Sequence, residues 1–159
     1  MAEKISGRQA FDIAYEKFTD TVYRVACHNT VTFADAEDIT QDVFMKLIEK
    51  KRSFESEEHL KAWLIRVTLN LCRNLNRKSG RISVLDENIP TEDKDTDILL
   101  CVKSLPEKYR NAIYLHYYEG YTAAEIAEIT GGKQNTVLSY LSRGREMLKK
   151  QLSGGFDDE

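Results

Sequence analysis

The sequence predicts an all-α fold of two small helical domains joined by an acidic linker. Apolar residues recur at steps of three and four along most of the chain, which is the period of amphipathic helices. Only two prolines and eight glycines interrupt the 159 residues, so long helices meet little resistance. A stretch without this period contains Gly80, Pro90 and a run of acids. We therefore predict domains over residues 1–79 and 96–153, with the linker over 80–95.

Three predicted helices account for the first domain. The first spans residues 11–27, and the second spans 35–51, with acids in its first turns and bases near its end, as the helix macrodipole favours. The third spans 57–78, and Ser56 is placed to cap its amino terminus. The apolar residues expected to face a common core are Phe11, Ala14, Tyr15, Phe18, Val22, Val25, Ala26, Ile39, Val43, Leu47, Ile48, Leu60, Trp63, Leu64, Val67, Leu71 and Leu75. This pattern predicts a three-helix bundle.

The second domain begins with a short predicted helix over residues 98–103. Pro106 suits the first turn of the next helix, because its fixed φ is compatible with a helix start. That helix extends to about residue 118, and Gly120 ends it. Its expected inward residues are Tyr109, Ala112, Ile113 and Tyr117.

Residues 121–150 have the pattern of a helix-turn-helix. Thr122 and Glu125 have the spacing of a capping box, which opens a short helix. A Gly-Gly pair then allows a sharp turn, and Thr136 begins a longer, basic helix. The inward residues of the two helices are Ile126, Ile129, Val137, Leu141 and Leu148. In such units the second helix enters the major groove of DNA.

The net charge of −3 conceals a segregation of charge along the chain. Residues 61–85 contain six basic residues and no acidic one, and residues 86–97 contain six acidic residues and one lysine. Residues 130–152 contain five bases and one acid. Two basic blocks separated by an acidic connector indicate two anion-binding surfaces on one chain.

Polar side chains on two of the predicted helices are candidates for contact with nucleic acid. On the third helix, residues at three- and four-residue steps share one face and can donate to phosphates and to splayed bases: Arg66, Asn70, Arg73, Asn74 and Arg77. Alternatively, the basic residues near the end of this helix only complement its dipole. This alternative explains Arg77 well but explains Arg66 poorly. The outward residues of the helix-turn-helix are Lys133, Gln134, Asn135, Thr136, Ser139, Tyr140 and Arg143, and the alternative there is a helical hairpin with a solvated polar face.

Four segments in the order expected resemble one protein family. The run DAEDITQDVF at 35–44 and the run AWLIRV at 62–67, followed by Asn70, resemble region two of the extracytoplasmic-function (ECF) sigma factors. The run SLPEKYR at 104–110 and the unit at 121–150 are similar to region four of the same family. The resemblance covers nearly the whole chain. It implies a sigma factor that brings RNA polymerase core to promoter DNA and that an anti-sigma factor regulates.

The resemblance also implies how the chain would divide its contacts. The second helix would dock on the clamp coiled coil of the polymerase through Asp38, Gln41, Asp42 and Met45. The third helix and the loop before it would take the minus-ten element as single strand, with contacts from Lys61, Arg66, Asn70, Arg73, Asn74 and Arg77. The helix-turn-helix would read the minus-thirty-five element as duplex through Lys133, Gln134, Asn135, Thr136, Ser139, Tyr140 and Arg143. The same domain would pack on the polymerase flap.

The chain departs from the family pattern in the recognition helix. Leu138 and Tyr140 stand where phosphate-binding lysine and arginine are common, and Lys133 stands where a cap or a proline is usual. These departures predict altered minus-thirty-five contacts and a weaker nonspecific affinity for DNA.

Other classes of protein explain less of the sequence. Catalysis and a cofactor are not expected, because the three histidines are isolated and no HExxH, phosphate-binding loop or GxSxG motif occurs. A stand-alone helix-turn-helix regulator would leave residues 35–78 without a role. A sigma-like mimic that only binds an anti-sigma factor is expected to carry a receiver domain, for which 159 residues leave no room. Cys27, Cys72 and Cys101 are expected to be buried thiols, and the absence of a signal-like or membrane-spanning run predicts a cytoplasmic protein without membrane insertion.

Overall fold

The computed structural model describes residues 4–50, 53–79 and 94–157. In these ranges the chain forms eight helices, and the all-α prediction is confirmed. The helices are α1 (Gly7–Lys17), α2 (Thr19–Cys27), α3 (Phe33–Lys50), α4 (Glu57–Ser79), α5 (Lys94–Lys103), α6 (Glu107–Tyr117), α7 (Ala123–Thr130) and α8 (Gln134–Asp157). The chain divides into two compact units, Met1–Glu87 and Asn88–Glu159. Most of the predicted linker, residues 80–93, lies outside the described residues, and residues 94–95 already belong to α5.

In its described residues, 4–50 and 53–79, the first unit is a bundle of four helices rather than the predicted three. The predicted helix over 11–27 is interrupted at Phe18, whose φ of −121° and ψ of 3° are not helical. The Thr19 hydroxyl donates to the Tyr15 carbonyl oxygen at 2.6 Å at this break. The helix also begins earlier than predicted, since Ser6 and Gln9 form a reciprocal capping box with hydrogen bonds of 3.3 and 3.1 Å.

Burial in the first unit corrects two predicted core positions. Tyr15 and Ile48 were expected to face inward, but they are 65% and 50% exposed. The core consists instead of small and aliphatic residues from all four helices and of one aromatic residue from the loop before α4: Ala10, Ala14, Val22, Val25, Ala26, Cys27, Ala36, Ile39, Val43, Leu47, Phe54, Leu60, Leu64, Ile65, Leu69 and Cys72. Helices α2, α3 and α4 pack closely on one another, because each presents a continuous apolar stripe.

Two polar arrangements close the ends of this bundle. Backbone hydrogen bonds of 2.7 and 2.8 Å pair Ile5 with Phe54, so the start of the chain is joined to the loop before α4. At the other end, the Asn76 side chain donates to the Asn29 carbonyl oxygen at 2.8 Å. The buried Asn29 and Thr30 side chains donate to carbonyl oxygens of the last turn of α2. These bonds satisfy carbonyl groups that the end of a helix leaves without intrahelical partners.

The second unit is built around α6, which packs on α7 and α8. Tyr109, Ala112 and Ile113 are buried as predicted, whereas Tyr117 is 53% exposed and does not belong to the core. Gly120 has a φ of +77°, a backbone conformation that glycine adopts without strain, and this residue lies just beyond the end of the helix. Cys27 and Cys72 are buried as predicted, but Cys101 is only partly buried.

We predict that Gly144→Ala destabilises the second unit by about 1 kcal/mol. Helix α8 approaches α6 so closely that a β-carbon at Gly144 would lie 2.7 Å from Cγ1 of Ile113, a fully buried side chain that would have to shift to make room. Alanine is favoured over glycine within a helix by about 1 kcal/mol, but overpacking a core costs about 1–3 kcal/mol. Amide hydrogen exchange of α6 and α8 measures the net effect.

The control for this prediction is Gly132→Ala, where the nearest atom to the added β-carbon is Thr130 Oγ1 at an ordinary 3.7 Å. That variant should exchange like the parent protein. Combining Gly144→Ala with Ile113→Ala should cost less than the sum of the two single changes, because the truncation removes the clash. Additive costs would contradict the packing explanation.

Candidate nucleic-acid interface

Helix α4 carries a polar surface on the side opposite the core. Its inner face is buried through Leu64, Ile65, Leu69 and Cys72. The residues predicted to contact the minus-ten element form what we call the α4 stripe, which comprises Lys61, Arg66, Asn70, Arg73, Asn74 and Arg77. All of them are exposed except Lys61, which is partly buried. The helix contains no acid after Glu58, so the α4 stripe has a positive potential over several turns.

The loop before α4 holds the start of this helix in place. Phe54 is fully buried and packs edge-on against Trp63, with ring centroids 5.6 Å apart, and against His59 at 5.8 Å. The Ser56 hydroxyl accepts from the His59 N–H at 3.1 Å, which confirms the predicted amino-terminal cap. The direction in which α4 presents its polar face is therefore determined by packing at its first turns.

Helices α7 and α8 form the predicted helix-turn-helix. The Thr122 and Glu125 capping box is present, with reciprocal hydrogen bonds of 3.0 and 3.1 Å. Hydrogen bonds from the Thr122 backbone and side chain lower the pKa of the Glu125 carboxyl group, because they stabilise its charged form. Gly131 ends α7 with a φ of +75°, and α8 begins at Gln134, two residues before the predicted start.

The start of α8 presents a set of polar side chains to solvent. We call the predicted minus-thirty-five residues the recognition face, which comprises Lys133, Gln134, Asn135, Thr136, Ser139, Tyr140 and Arg143. All are exposed except Tyr140, which is partly buried, while Val137 and Leu141 are buried on the inner side of the helix. Amide, hydroxyl and guanidinium groups in this position match the donors and acceptors of base edges and phosphates.

A cluster with α6 links the recognition face to the core of the unit. Tyr140 packs edge-on against Tyr109 with centroids 5.6 Å apart, and Lys108 Nζ lies 5.2 and 5.6 Å from the two ring centroids. A hydrogen bond from Arg143, assisted by the charge of Lys108, lowers the pKa of the Tyr109 hydroxyl. Part of the Tyr140 surface is thus used for packing on α6 and is not available to a ligand. Sequence reasoning missed this cluster, because no local pattern relates α6 to α8.

Two further surfaces are suited to protein partners. On α3, the α3 stripe of Asp38, Gln41, Asp42 and Met45 is exposed, and the exposed Ile48 extends it by nearly one turn. In the second unit, an apolar groove of about 470 Å³ is lined by Ile98, Val102, Ile113, Tyr117, Tyr118 and Leu148, with Arg145 and Lys149 also among its lining residues. Tyr117, which was predicted to face the core but is exposed, contributes to this groove.

Comparison with known proteins places both units in one family. Residues 14–82 match Sigma-70 region 2, and residues 95–148 match Sigma-70 region 4. The RNA polymerase sigma factor SigV of Bacillus subtilis is 31% identical over 139 residues, covering 82% of this chain and 84% of that protein. The ECF RNA polymerase sigma factor SigE of Mycolicibacterium smegmatis is also 31% identical, over 160 residues. The chain belongs to the ECF sigma factor family.

The predicted resemblance is thereby confirmed, with one difference in length. The match covers 91% of this ECF sigma factor but only 62% of the M. smegmatis relative. Among solved structures, the sigma factor RpoE of Bartonella quintana, in complex with the anti-sigma factor NepR, superposes with a TM-score of 0.75. That pair is 27% identical and covers 93% of this chain and 99% of the other. The α3 and α4 stripes lie within the region 2 match, and the recognition face lies within the region 4 match.

The three histidines lie in separate parts of the described chain. Nδ1 of His28 lies 2.9 Å from the Arg24 carbonyl oxygen, and Nδ1 of His116 lies 2.7 Å from that of Tyr121. In the described part of the chain, no group of three or more His, Cys, Asp or Glu residues could hold a metal ion. No helix in residues 4–50, 53–79 and 94–157 is long and apolar enough to cross a membrane.

Proposed function

We propose that this ECF sigma factor brings core RNA polymerase to specific promoters and helps to open the DNA there. The observation that carries the proposal is that each unit presents one largely exposed polar face that includes basic residues, the α4 stripe in the first unit and the recognition face in the second. Each face lies in the segment that matches a sigma region. The protein acts in this proposal by binding and not by catalysis.

The α4 stripe is proposed to take the minus-ten element as single-stranded DNA. Arginine can pair with phosphates and stack on bases, and asparagine can donate to and accept from the edges of bases that have left the duplex. Arg66 and Asn70 lie one helical turn apart on the exposed face, so one nucleotide strand can reach both. The anchored loop before α4 keeps this face in position.

The recognition face is proposed to read the minus-thirty-five element as duplex DNA. Side chains are placed in the major groove by three parts of such a unit. These are a capped first helix, a glycine in the left-handed backbone conformation, and a second helix with exposed polar residues at its start. Arg143 is exposed on this face, and its guanidinium group is suited to the phosphate backbone at the edge of that groove.

Two protein contacts complete the proposal. The α3 stripe docks on the clamp coiled coil of the polymerase, and the apolar groove of the second unit packs on the flap. The B. quintana sigma factor is solved with an anti-sigma factor, and an anti-sigma partner is proposed here as well. Core binding joins two individually weak DNA contacts into one bivalent contact, since the net charge of −3 disfavours tight binding by the isolated chain.

Run-off transcription tests this proposal. Core polymerase alone and core polymerase with this chain are each given a library of genomic promoter fragments, and we expect defined transcripts only with the chain present. The isolated chain should bind the same fragments poorly in a gel-shift assay. Tight duplex binding without polymerase would favour a stand-alone helix-turn-helix regulator. Binding of an anti-sigma factor without binding of core would favour the sigma-like mimic.

A further inference from the structure

Leu138 is a large apolar side chain in the polar part of α8. It is 47% exposed, and it does not line the apolar groove of the second unit. Three of its four neighbours one turn away are Gln134, Asn135 and Ser142, all exposed and all able to hydrogen-bond bases, and the fourth is the buried Leu141. Leu138 therefore lies at the edge of the recognition face, between its polar residues and the buried inner side of α8.

A single exposed leucine is common on protein surfaces and needs no explanation by itself. The place of Leu138 distinguishes it, because it is the fifth residue of a helix whose amino-terminal residues meet base edges in helix-turn-helix units. The buried Val137 and Leu141 already supply the inner side of this turn, so Leu138 is not needed to anchor the helix. Its apolar surface remains available to whatever lies against α8.

We propose that Leu138 selects a thymine in the upstream promoter element by packing on the 5-methyl group of that base. This inference rests on the proposed function, in which α8 enters the major groove, and it gives Leu138 a base contact at a position where phosphate-binding residues are common in the family. The thymine methyl is the apolar group among the base edges of that groove, while the other distinguishing groups are hydrogen-bond donors and acceptors. A leucine beside amide and hydroxyl groups lets this part of α8 make both an apolar contact and hydrogen bonds with base edges.

The test replaces one methyl group at a time in DNA that the holoenzyme itself has selected. Holoenzyme assembled from core polymerase and this chain selects duplexes from a library with a randomised upstream element. Each thymine of the selected element, on either strand, is then replaced singly by deoxyuridine. At one position we expect binding by the parent holoenzyme to weaken about fourfold, because burial of one methyl group contributes about 0.8 kcal/mol.

With Leu138→Ala, the thymine and deoxyuridine forms of that promoter should bind equally, because the group that contacts the methyl is gone. Leu138→Met keeps an apolar side chain and should retain part of the discrimination. Leu100→Ala removes an exposed leucine of α5 that belongs neither to the recognition face nor to the apolar groove, and it should leave the thymine-to-deoxyuridine ratio unchanged. The ratio is internal to each variant, so a general change in affinity does not affect it.

Three results overturn the inference. One is a selected element without A·T pairs, another is insensitivity of the parent holoenzyme at every thymine, and the third is equal discrimination by Leu138→Ala. In all three the holoenzyme still selects a defined element, so the proposed function stands. Failure of the holoenzyme to select any duplex overturns the proposed function and this inference together.

Discussion

Replacing Arg66 and Asn70 together by alanine should reduce open-complex formation about a hundredfold while leaving the affinity for core polymerase unchanged. Both side chains lie on the exposed α4 stripe, and neither belongs to the buried face of the helix. A hydrogen bond that involves a charged group contributes about 1.5–3 kcal/mol and one between neutral groups about 0.5–1.5 kcal/mol, so losing one contact of Arg66 and one of Asn70 gives an effect of this size. Permanganate reactivity of unpaired thymines measures opening, and fluorescence anisotropy with labelled protein measures core binding.

The control for this variant is Arg8→Ala, which removes an exposed arginine from α1, outside the α4 stripe. It should open promoters like the parent protein, since a general loss of positive charge is not the proposed cause. An equal loss of core affinity in the Arg66 and Asn70 variant would contradict the assignment of these residues to DNA. Normal opening would contradict it as well.

Replacing Asp38 and Gln41 together by alanine should have the opposite pattern. We expect core affinity to fall at least about tenfold, because polar groups at a protein interface each contribute about 1–3 kcal/mol when truncation leaves their partners unpaired. Once enough protein is added to saturate core polymerase, promoter opening should return to the parent level. Anisotropy titrations with core polymerase, followed by permanganate footprinting at saturation, separate the two quantities.

A matched control for this variant is Asp12→Ala combined with Glu16→Ala. These residues are exposed and one turn apart on α1, so the change removes two polar side chains, both acidic, from a different helix of the same unit. Its core affinity should stay close to that of the parent protein. If the Asp38 and Gln41 variant binds core polymerase normally, the α3 stripe is not the clamp-binding surface.

The helix starts and stops were largely readable from local chemistry. The Thr122 and Glu125 capping box and the cap at Ser56 appear in the structure where the sequence predicts them. A second capping box at Ser6 and Gln9 has an equally local S-x-x-Q signal, which the apolar period starting at Phe11 obscured. These features depend on residues three or four apart, so neighbouring sequence is sufficient to specify them.

The break at Phe18 had no comparable signal. The apolar period continues across it, and neither glycine nor proline is present in the segment. Apolar period alone also misassigned Tyr15, Ile48 and Tyr117, which follow the stripe but lie at its edges. Whether an edge residue is buried depends on which neighbouring helix reaches over it, and that is a property of packing and not of spacing.

The sequence by itself determined the helical class, the helix-turn-helix, the residues of the α4 stripe and of the recognition face, and the family, because each follows from local residue patterns. Only the tertiary structure decided that the first unit has four helices and that Phe54 anchors the start of α4. It alone showed that Tyr140 packs on Tyr109. These features join residues far apart in the chain, and contacts of that kind exist only once the helices have packed.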